Sequence, residues 1–384
     1  MRRIFLPALV CAVMALAQSG WSQRGTEPWV IGPFTRPVVG NPVVRPQPDA
    51  TFEDPIEKKP IHWEALHTFN PAAVVRHGKV YVLYRAEDNT GTMEIGGHTS
   101  RLGMAMSKDG VHFKQMAKPV FYPAEDGQKA REWPGGVEDP RIVEGPHGEY
   151  VMTYTQWNRE IYSVGIATSQ DLEHWVKHGP AFFTAWGGKY AHLKYKSAGI
   201  VTELDKGRLV AARIHGMYWM YWGEGAIHLA TSNDLVHWAP AEDAHGNLVE
   251  LVKPRPGHFD STFPETGPPP VRTKAGIVVL YNGKNAAGDV NWGGDAKLGP
   301  GAYAAGEALF DANNPALLLA QTDGPVLKPE LPYEKTGQYA AGTTFAEGLV
   351  WFHKKWFLYY GCADSLVAVA TAPAEPESGV AIVR

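Results

Sequence analysis

HGKVYVLYRA, residues 77–86, joins a short turn to an aromatic and β-branched run of strand length and then a polar exit. The same plan returns as HGEYVMTYTQ at 147–156, HGMYWMYWGE at 215–224, KAGIVVLYNG at 274–283 and HKKWFLYYGC at 353–362. A second signature lies between these runs. SKDGVHF at 107–113, SQDLEHW at 169–175 and SNDLVHW at 232–238 are each an Asp-containing turn followed by an aromatic that packs the next strand. They recur at a period of about sixty residues, which is the mark of a structural repeat. No window holds a 3.6-residue periodicity through three turns, so long helices are not expected. Five strand-rich units at this spacing predict an all-β chain closed radially as a five-bladed β-propeller, because closure removes the exposed edges of many short strands. A β-sandwich with insertions would account for the strands but not for their regular spacing.

Outside the repeat, residues 1–22 carry Arg2 and Arg3 ahead of a short apolar run and small residues near Ala15, Ala17 and Ser22. That layout predicts a secretory signal peptide cleaved after Ala17 or Ser22, and hence an exported protein, periplasmic or extracellular, with no membrane span. Residues 23–60 are proline-rich and aperiodic and read as an irregular N-terminal arm; residues 61–384 read as one catalytic domain. Cys11 departs with the signal segment, so Cys362 has no intrachain partner and reads as a small buried apolar residue. The 384-residue chain is 44% hydrophobic and 20% charged, a balance that can bury a large core. Its formal charge of -4, without a Lys/Arg tract, lacks the footprint of a nucleic-acid binder. The 13 Trp, 16 Tyr and 14 Phe can line a sugar groove or fill a core, and composition does not choose between them.

GGVEDPRI at 135–142 places two acids beside a proline and an arginine, after paired glycines, where a strand end or loop would project charge. Breaking a glycosidic bond needs a proton for the departing oxygen and an activated nucleophile on the opposite face, work done by two separated carboxyl groups. Asp139, Glu224 at the end of MYWMYWGE, Glu265 in FPETGPPP and Asp364 in GCAD all sit at turns or strand ends. Any one alone would pass for a solvated surface acid. In a propeller, however, inner strands distant in sequence share one channel. Arg85, Arg101, Arg141 and Arg213 lie near the same strand ends and could orient a carboxylate or grip a hydroxyl. No HExxH, close His/Cys spacing, GxGxxG, Walker loop or GxSxG is present, so neither a metal nor a cofactor is assigned.

FNPAA (69–73), YRA (84–86), SRLGMAMSKDG (100–110), GGVEDPRI, MTYT (152–155), SQDLEHW, SNDLVHW and YYGCAD (359–364) together resemble glycoside hydrolase family 130. The resemblance covers about residues 60–375. It implies a five-bladed β-propeller acting on β-mannoside oligosaccharides, either as an inverting phosphorylase or, in a smaller set, as a β-mannosidase. It implies that Asp139 matches the family's general-acid aspartate and that Asp364 holds the sugar beside the broken bond. Asn70, Arg85, Arg101, Glu138, Arg141, Arg213 and Tyr221 join them as the implied substrate-binding set. One departure matters for the reaction. Where phosphorylases of the family carry a His-Arg pair in a phosphate pocket, this chain has Trp222 and Gly223 followed by Glu224. A carboxylate there would repel phosphate. Glu224 and Glu265 resemble instead the glutamates of the hydrolytic branch, with Asp139 as a sugar ligand or proton relay. Arg213 argues the other way, since it keeps positive charge near a phosphate-binding lysine of the phosphorylases. The resemblance thus implies an inverting exo-acting β-mannosidase for β-1,2-linked manno-oligosaccharides, with water as second substrate. A β-mannoside phosphorylase releasing α-mannose 1-phosphate, or a non-catalytic mannan-binding propeller, stays open, as does the oligomeric state.

Overall fold

The computed structural model describes residues 28–287 and 293–373; the expected signal segment lies outside them. Among the described residues the regular secondary structure is almost entirely strand, with one four-residue helix at Lys129–Glu132 and two 3₁₀ turns. No helix there is long and apolar enough to cross a membrane.

Each aromatic run identified in the sequence is the second strand of an antiparallel unit. Unit 1 runs through His67–Arg76, Lys79–Glu87, Ser100–Ser107 and Phe113–Gln115. Unit 2 follows with Gly136–Glu144, Tyr150–Trp157, Tyr162–Ser169 and Trp175–Pro180. Ala198–Ile200, Met217–Trp222, His228–Ser232 and Trp238–Pro240 make unit 3. Unit 4 is Phe263–Thr266, Ile277–Lys284, Tyr303–Phe310 and Leu318–Gln321. Thr344–Phe352, Lys355–Cys362 and Leu366–Pro373 make unit 5, whose outer edge is completed by the N-terminal arm. There Thr35 and Thr371 exchange both backbone hydrogen bonds at 2.8 Å, and Asn41 uses its amide side chain to bond both backbone groups of Val369.

Local chemistry explains why the units repeat. His77-Gly78 and His215-Gly216 both take positive φ, the left-handed pair that a two-residue hairpin needs to match strand twist. In the Ser-x-Asp turns, Ser169 Oγ accepts from Leu172 N–H at 2.9 Å while Asp171 Oδ1 accepts from Glu173 and His174 N–H at 2.9 and 2.8 Å. Ser107/Asp109 and Ser232/Asp234 repeat this network. A third device was not visible in the sequence. Tyr84, Tyr154, Tyr281 and Tyr360, each on a second strand, donate to the buried acids Glu64, Glu132, Asp260 and Glu334 at 2.7–2.9 Å. Gly103 and Gly165 lie against the Tyr84 and Tyr154 rings, where an added Cβ would come within 2.4 and 2.6 Å of ring carbon.

Hydrophobic cores sit between consecutive units. Leu83 and Met104 of unit 1 pack with Ile142 and Met152 of unit 2. Val151 and Ile166 pack with Met220 and Trp222, Leu229 with Val279 and Tyr281, and Val278 and Leu280 with Leu349 and Leu358. The last cluster joins Val350, Tyr359 and Val367 of unit 5 to Val80, Val82 and Tyr84 of unit 1. The first strand of unit 1 therefore packs against the first strands of both unit 2 and unit 5.

That packing brings the same end of several first strands together. In three of them the pairing register slips there: at Asn70, between Phe69 and Pro71; at Asp139-Pro140; and at Glu347, between Ala346 and Gly348. An extra residue in one strand re-aims its side chain, and bulges of this kind gather beside active sites.

Candidate active site

Asp139 takes a φ of 48° within the Gly136–Glu144 strand, a conformation for which Asp is one of the more tolerant residues. Its Oδ1 accepts from Asn70 Nδ2 at 2.9 Å and lies 3.5 Å from Arg85 Nη1. Arg85 also reaches Glu138 Oε1 at 2.8 Å and Glu87 Oε1 at 2.7 Å, donates from Nε to Ser100 Oγ, and lies over the Phe69 ring. Burial pushes the Asp139 carboxyl up, but Arg85, Lys196, Arg141 and the Asn70 hydrogen bond together hold it below the usual range. For Glu138 burial prevails over Arg85, with Asp139 and Glu87 adding like charge, and its carboxyl is raised. Asp364, at a φ of 51°, is raised to about 7 by burial against the pull of Arg85. The result is one ionised carboxylate among neighbours inclined to hold protons, a mixture of acceptors and donors suited to sugar hydroxyls.

A second group adjoins the first. Glu224 and Glu265 face each other through a backbone bridge, reinforced by the 3.1 Å bond from Thr266 N–H to Gly223 O. Lys196 Nζ stands 3.5 Å from a carboxyl oxygen of each. Ser197 Oγ donates to Glu265 Oε1 at 2.5 Å. The two acids differ in exposure: 29% of the Glu224 side chain is open to solvent against 1% for Glu265. Burial, with the Glu224 charge beside it, raises the Glu265 carboxyl despite Lys196 and Ser197. Burial would lower the Lys196 ammonium, but Glu265, Glu224 and Asp139 outweigh it and hold the group charged. A buried acid inclined to keep its proton beside a more open one is an arrangement that can divide general-acid and general-base roles.

The structure thus assembles Asn70, Arg85, Glu138, Asp139, Glu224, Glu265 and Asp364. Other residues expected in the binding set lie elsewhere. Arg101 is 1% exposed, with its guanidinium 2.6 Å from Asp54 on the N-terminal arm and 2.7 Å from Asp88. It ties the arm to unit 1. Tyr221 is fully buried in the core between units 3 and 4 and donates to Pro315 O, because its position on the strand turns it away from the shared site. Arg213 pairs with Tyr218 at the opposite end of the Met217–Trp222 strand from Glu224; its guanidinium covers the Tyr218 ring and bonds Gly216 and Asn233 carbonyls. The positive charge near the glutamates comes from Lys196 instead. Arg141 adjoins the site but is a strut, 1% exposed in its side chain, that donates to the carbonyls of Asp139, Thr266 and Gly267.

A family model described as β-1,4-mannooligosaccharide phosphorylase matches residues 35–376. The chain belongs to glycoside hydrolase family 130. Within the family it is similar to a 1,2-β-oligomannan phosphorylase of Thermoanaerobacter sp. strain X514, 32% identical over 80% of this chain and 90% of the relative. Among solved structures it resembles a glycosyl hydrolase from Bacteroides ovatus at 50% identity and a TM-score of 0.87, over 90% of this chain and 96% of the other. A further structure comes from work on glycoside hydrolases, within the family's mannoside phosphorylases, that target β-1,2 mannosidic linkages in Candida mannan. It is 49% identical with a TM-score of 0.89, covering 94% of this chain and 99% of the other. Membership makes the protein an enzyme of the mannoside phosphorylase and β-1,2-mannan-active family.

Proposed function

We propose that the protein is an inverting, exo-acting β-mannosidase that hydrolyses β-1,2-linked manno-oligosaccharides with water as second substrate. The observation that carries this reading is the Glu224–Lys196–Glu265 arrangement. Among the described residues the cation ion-paired with these two glutamates is Lys196, and both already engage it, so a phosphate dianion entering there would compete with them for that charge and meet the Glu224 carboxylate. The solved structures near 50% identity, described as hydrolases, point the same way. Residues Asn70, Arg85, Glu138, Asp139 and Asp364 would hold the terminal mannose. Glu265, raised by burial, would protonate the departing oxygen, and Glu224, open to solvent beside Lys196, would take the proton of the attacking water. The five strand units would be the blades of a five-bladed propeller around this pocket, a reading favoured by the core between units 5 and 1. Export through an N-terminal signal peptide fits hydrolysis, since a sugar phosphate made outside the cell would be lost to metabolism.

Phosphorolysis is the second reading, favoured by the name of the 32%-identical relative and by the presence of Lys196. Incubation with β-1,2-mannobiose, with and without inorganic phosphate, separates the two. Hydrolysis gives mannose alone in both; mannose 1-phosphate formed only when phosphate is present would overturn it.

A further inference from the structure

Glu347 was not among the residues singled out from the sequence, yet it occupies in unit 5 the bulge position that Asn70 holds in unit 1 and Asp139 in unit 2. It is fully buried. Its Oε1 lies 2.9 Å from Arg141 Nη1, and neither carboxyl oxygen has a hydrogen-bond partner among the described residues. Such a group is costly to leave unsatisfied, so its position needs a reason. Burial, with Asp139 and Glu265 near it, raises the carboxyl well above the usual range against the pull of Arg141 and Arg85. These neighbours place Glu347 between the sugar-gripping group and the glutamate pair.

Arg141 supplies the reason. Its guanidinium donates to Asp139 O at 2.9 Å, Thr266 O at 2.8 Å and Gly267 O at 3.0 Å. One planar group therefore pins the backbone of the Asp139 bulge to the backbone directly after Glu265, across two units that are far apart in sequence. A guanidinium presents its donors in a rigid fork, so whatever fixes its remaining edge also fixes the spacing of those two segments. Glu347 approaches that edge from a third unit.

We propose that Glu347 is a positioning residue which, through Arg141, sets the separation between the Asp139 sugar site and Glu265. The proposal rests on the hydrolytic reading only for which nucleophile, water or phosphate, takes the mannosyl group; the glycosidic bond broken is the same. Because Asp139, Asn70 and Arg85 contact one another directly, loss of Glu347 should disturb sugar affinity little and the reacting geometry much; a misplacement of about 1 Å can cost about 10²-fold in rate.

The test is steady-state cleavage of β-1,2-mannobiose by Glu347→Ala, Glu347→Gln and Glu347→Asp, followed as disaccharide consumed with and without phosphate. Glu347→Ala should lose about 10²-fold in kcat with KM within about threefold, and Glu347→Gln, which keeps the reach to Arg141, should stay within about threefold of the parent in both. Glu347→Ala with near-parental kcat, or Glu347→Gln falling as far as Glu347→Ala, would overturn the proposal. Should Glu347→Ala show no cooperative melt, Glu347→Asp decides: drawing the carboxyl back by one methylene should cost most of kcat, and full kcat there refutes a positioning role. A parent that consumes the disaccharide only with phosphate would sink the hydrolytic reading while leaving the comparison among variants intact.

Discussion

The outer turns and the inner strand ends of the same repeating units have opposite characters. At the outer turns, Ser107, Ser169 and Ser232 make one hydrogen-bond network with one residue pattern. At the inner ends, Asn70, Asp139 and Glu347 occupy one backbone position with different side chains. The difference follows from what each end faces. An outer turn answers only to its own two strands, so the same local solution serves in units 1, 2 and 3. The inner ends meet one another, and contacts between unlike groups, Asn70 with Asp139 and Glu347 with Arg141, join different units there. Stability should therefore be concentrated at the outer and inter-unit contacts, and turnover at the inner ends.

The largest expected effect lies at the inner end. Glu265→Gln should lower β-1,2-mannobiose turnover by about 10³-fold while its melting temperature stays close to the parent's. If Glu265 is the acid, this variant should keep most activity on an aryl β-mannoside whose leaving group needs no proton, whereas Glu224→Gln should lose both substrates. The reverse pattern would exchange the two roles.

Arg101→Ala probes the arm contact. It would leave Asp54 and Asp88 buried without their cation, and chemical denaturation should show a loss of about 3–5 kcal/mol. A variant of undiminished stability but weakened mannose binding would return Arg101 to the sugar site. Ser169→Ala, at an outer turn, removes the acceptor for Leu172 N–H and should cost about 1 kcal/mol with kcat unchanged. A drop in kcat as large as that of an inner-end variant would erase the contrast between the two regions.

The smallest effect is in pH dependence. Asp364 is raised from 3.8 to about 7 in the folded protein, so the folded state holds a proton that the unfolded chain has released. Its contribution to stability is present in full below about pH 4 and is lost as pH rises through about 7. Asp364→Asn should flatten the decline in melting temperature between about pH 4 and 7, and an unchanged slope would show that Asp364 is ionised throughout.

Much of this was legible before any coordinates. The aromatic runs located the second strand of each unit, and the Ser-x-Asp signatures located the outer turns of units 1, 2 and 3, because both are set by local hydrogen bonds and strand packing. Asp139, Arg85, Glu224, Glu265 and Asp364 were found as charges at strand ends and by resemblance to the family. Lys196 was missed because SAGIV and the preceding lysine carry no pattern; its meaning comes from Glu224 and Glu265, which are later in the chain. Glu347 had a signal that went unread: Asn70-Pro71, Asp139-Pro140 and Glu347-Gly348 are each a polar residue followed by Pro or Gly at the same place in a first strand. Arg101, Arg213 and Tyr221 were misplaced for one reason, that nearness to a motif in sequence does not say which way a strand end points.

By itself, then, the sequence determined the repeating strand runs, the all-β character and the family, since these depend on residue type and short-range spacing. Only the tertiary structure decided which charges meet. Packing of unit 5 against unit 1 sets Glu347 beside Arg141, and the docking of the arm draws Asp54 onto Arg101 and away from any sugar. Electrostatic partnership depends on distances of a few ångströms between segments as far apart in sequence as Arg141 and Glu347, and those distances exist only once the hydrophobic faces between the units have closed.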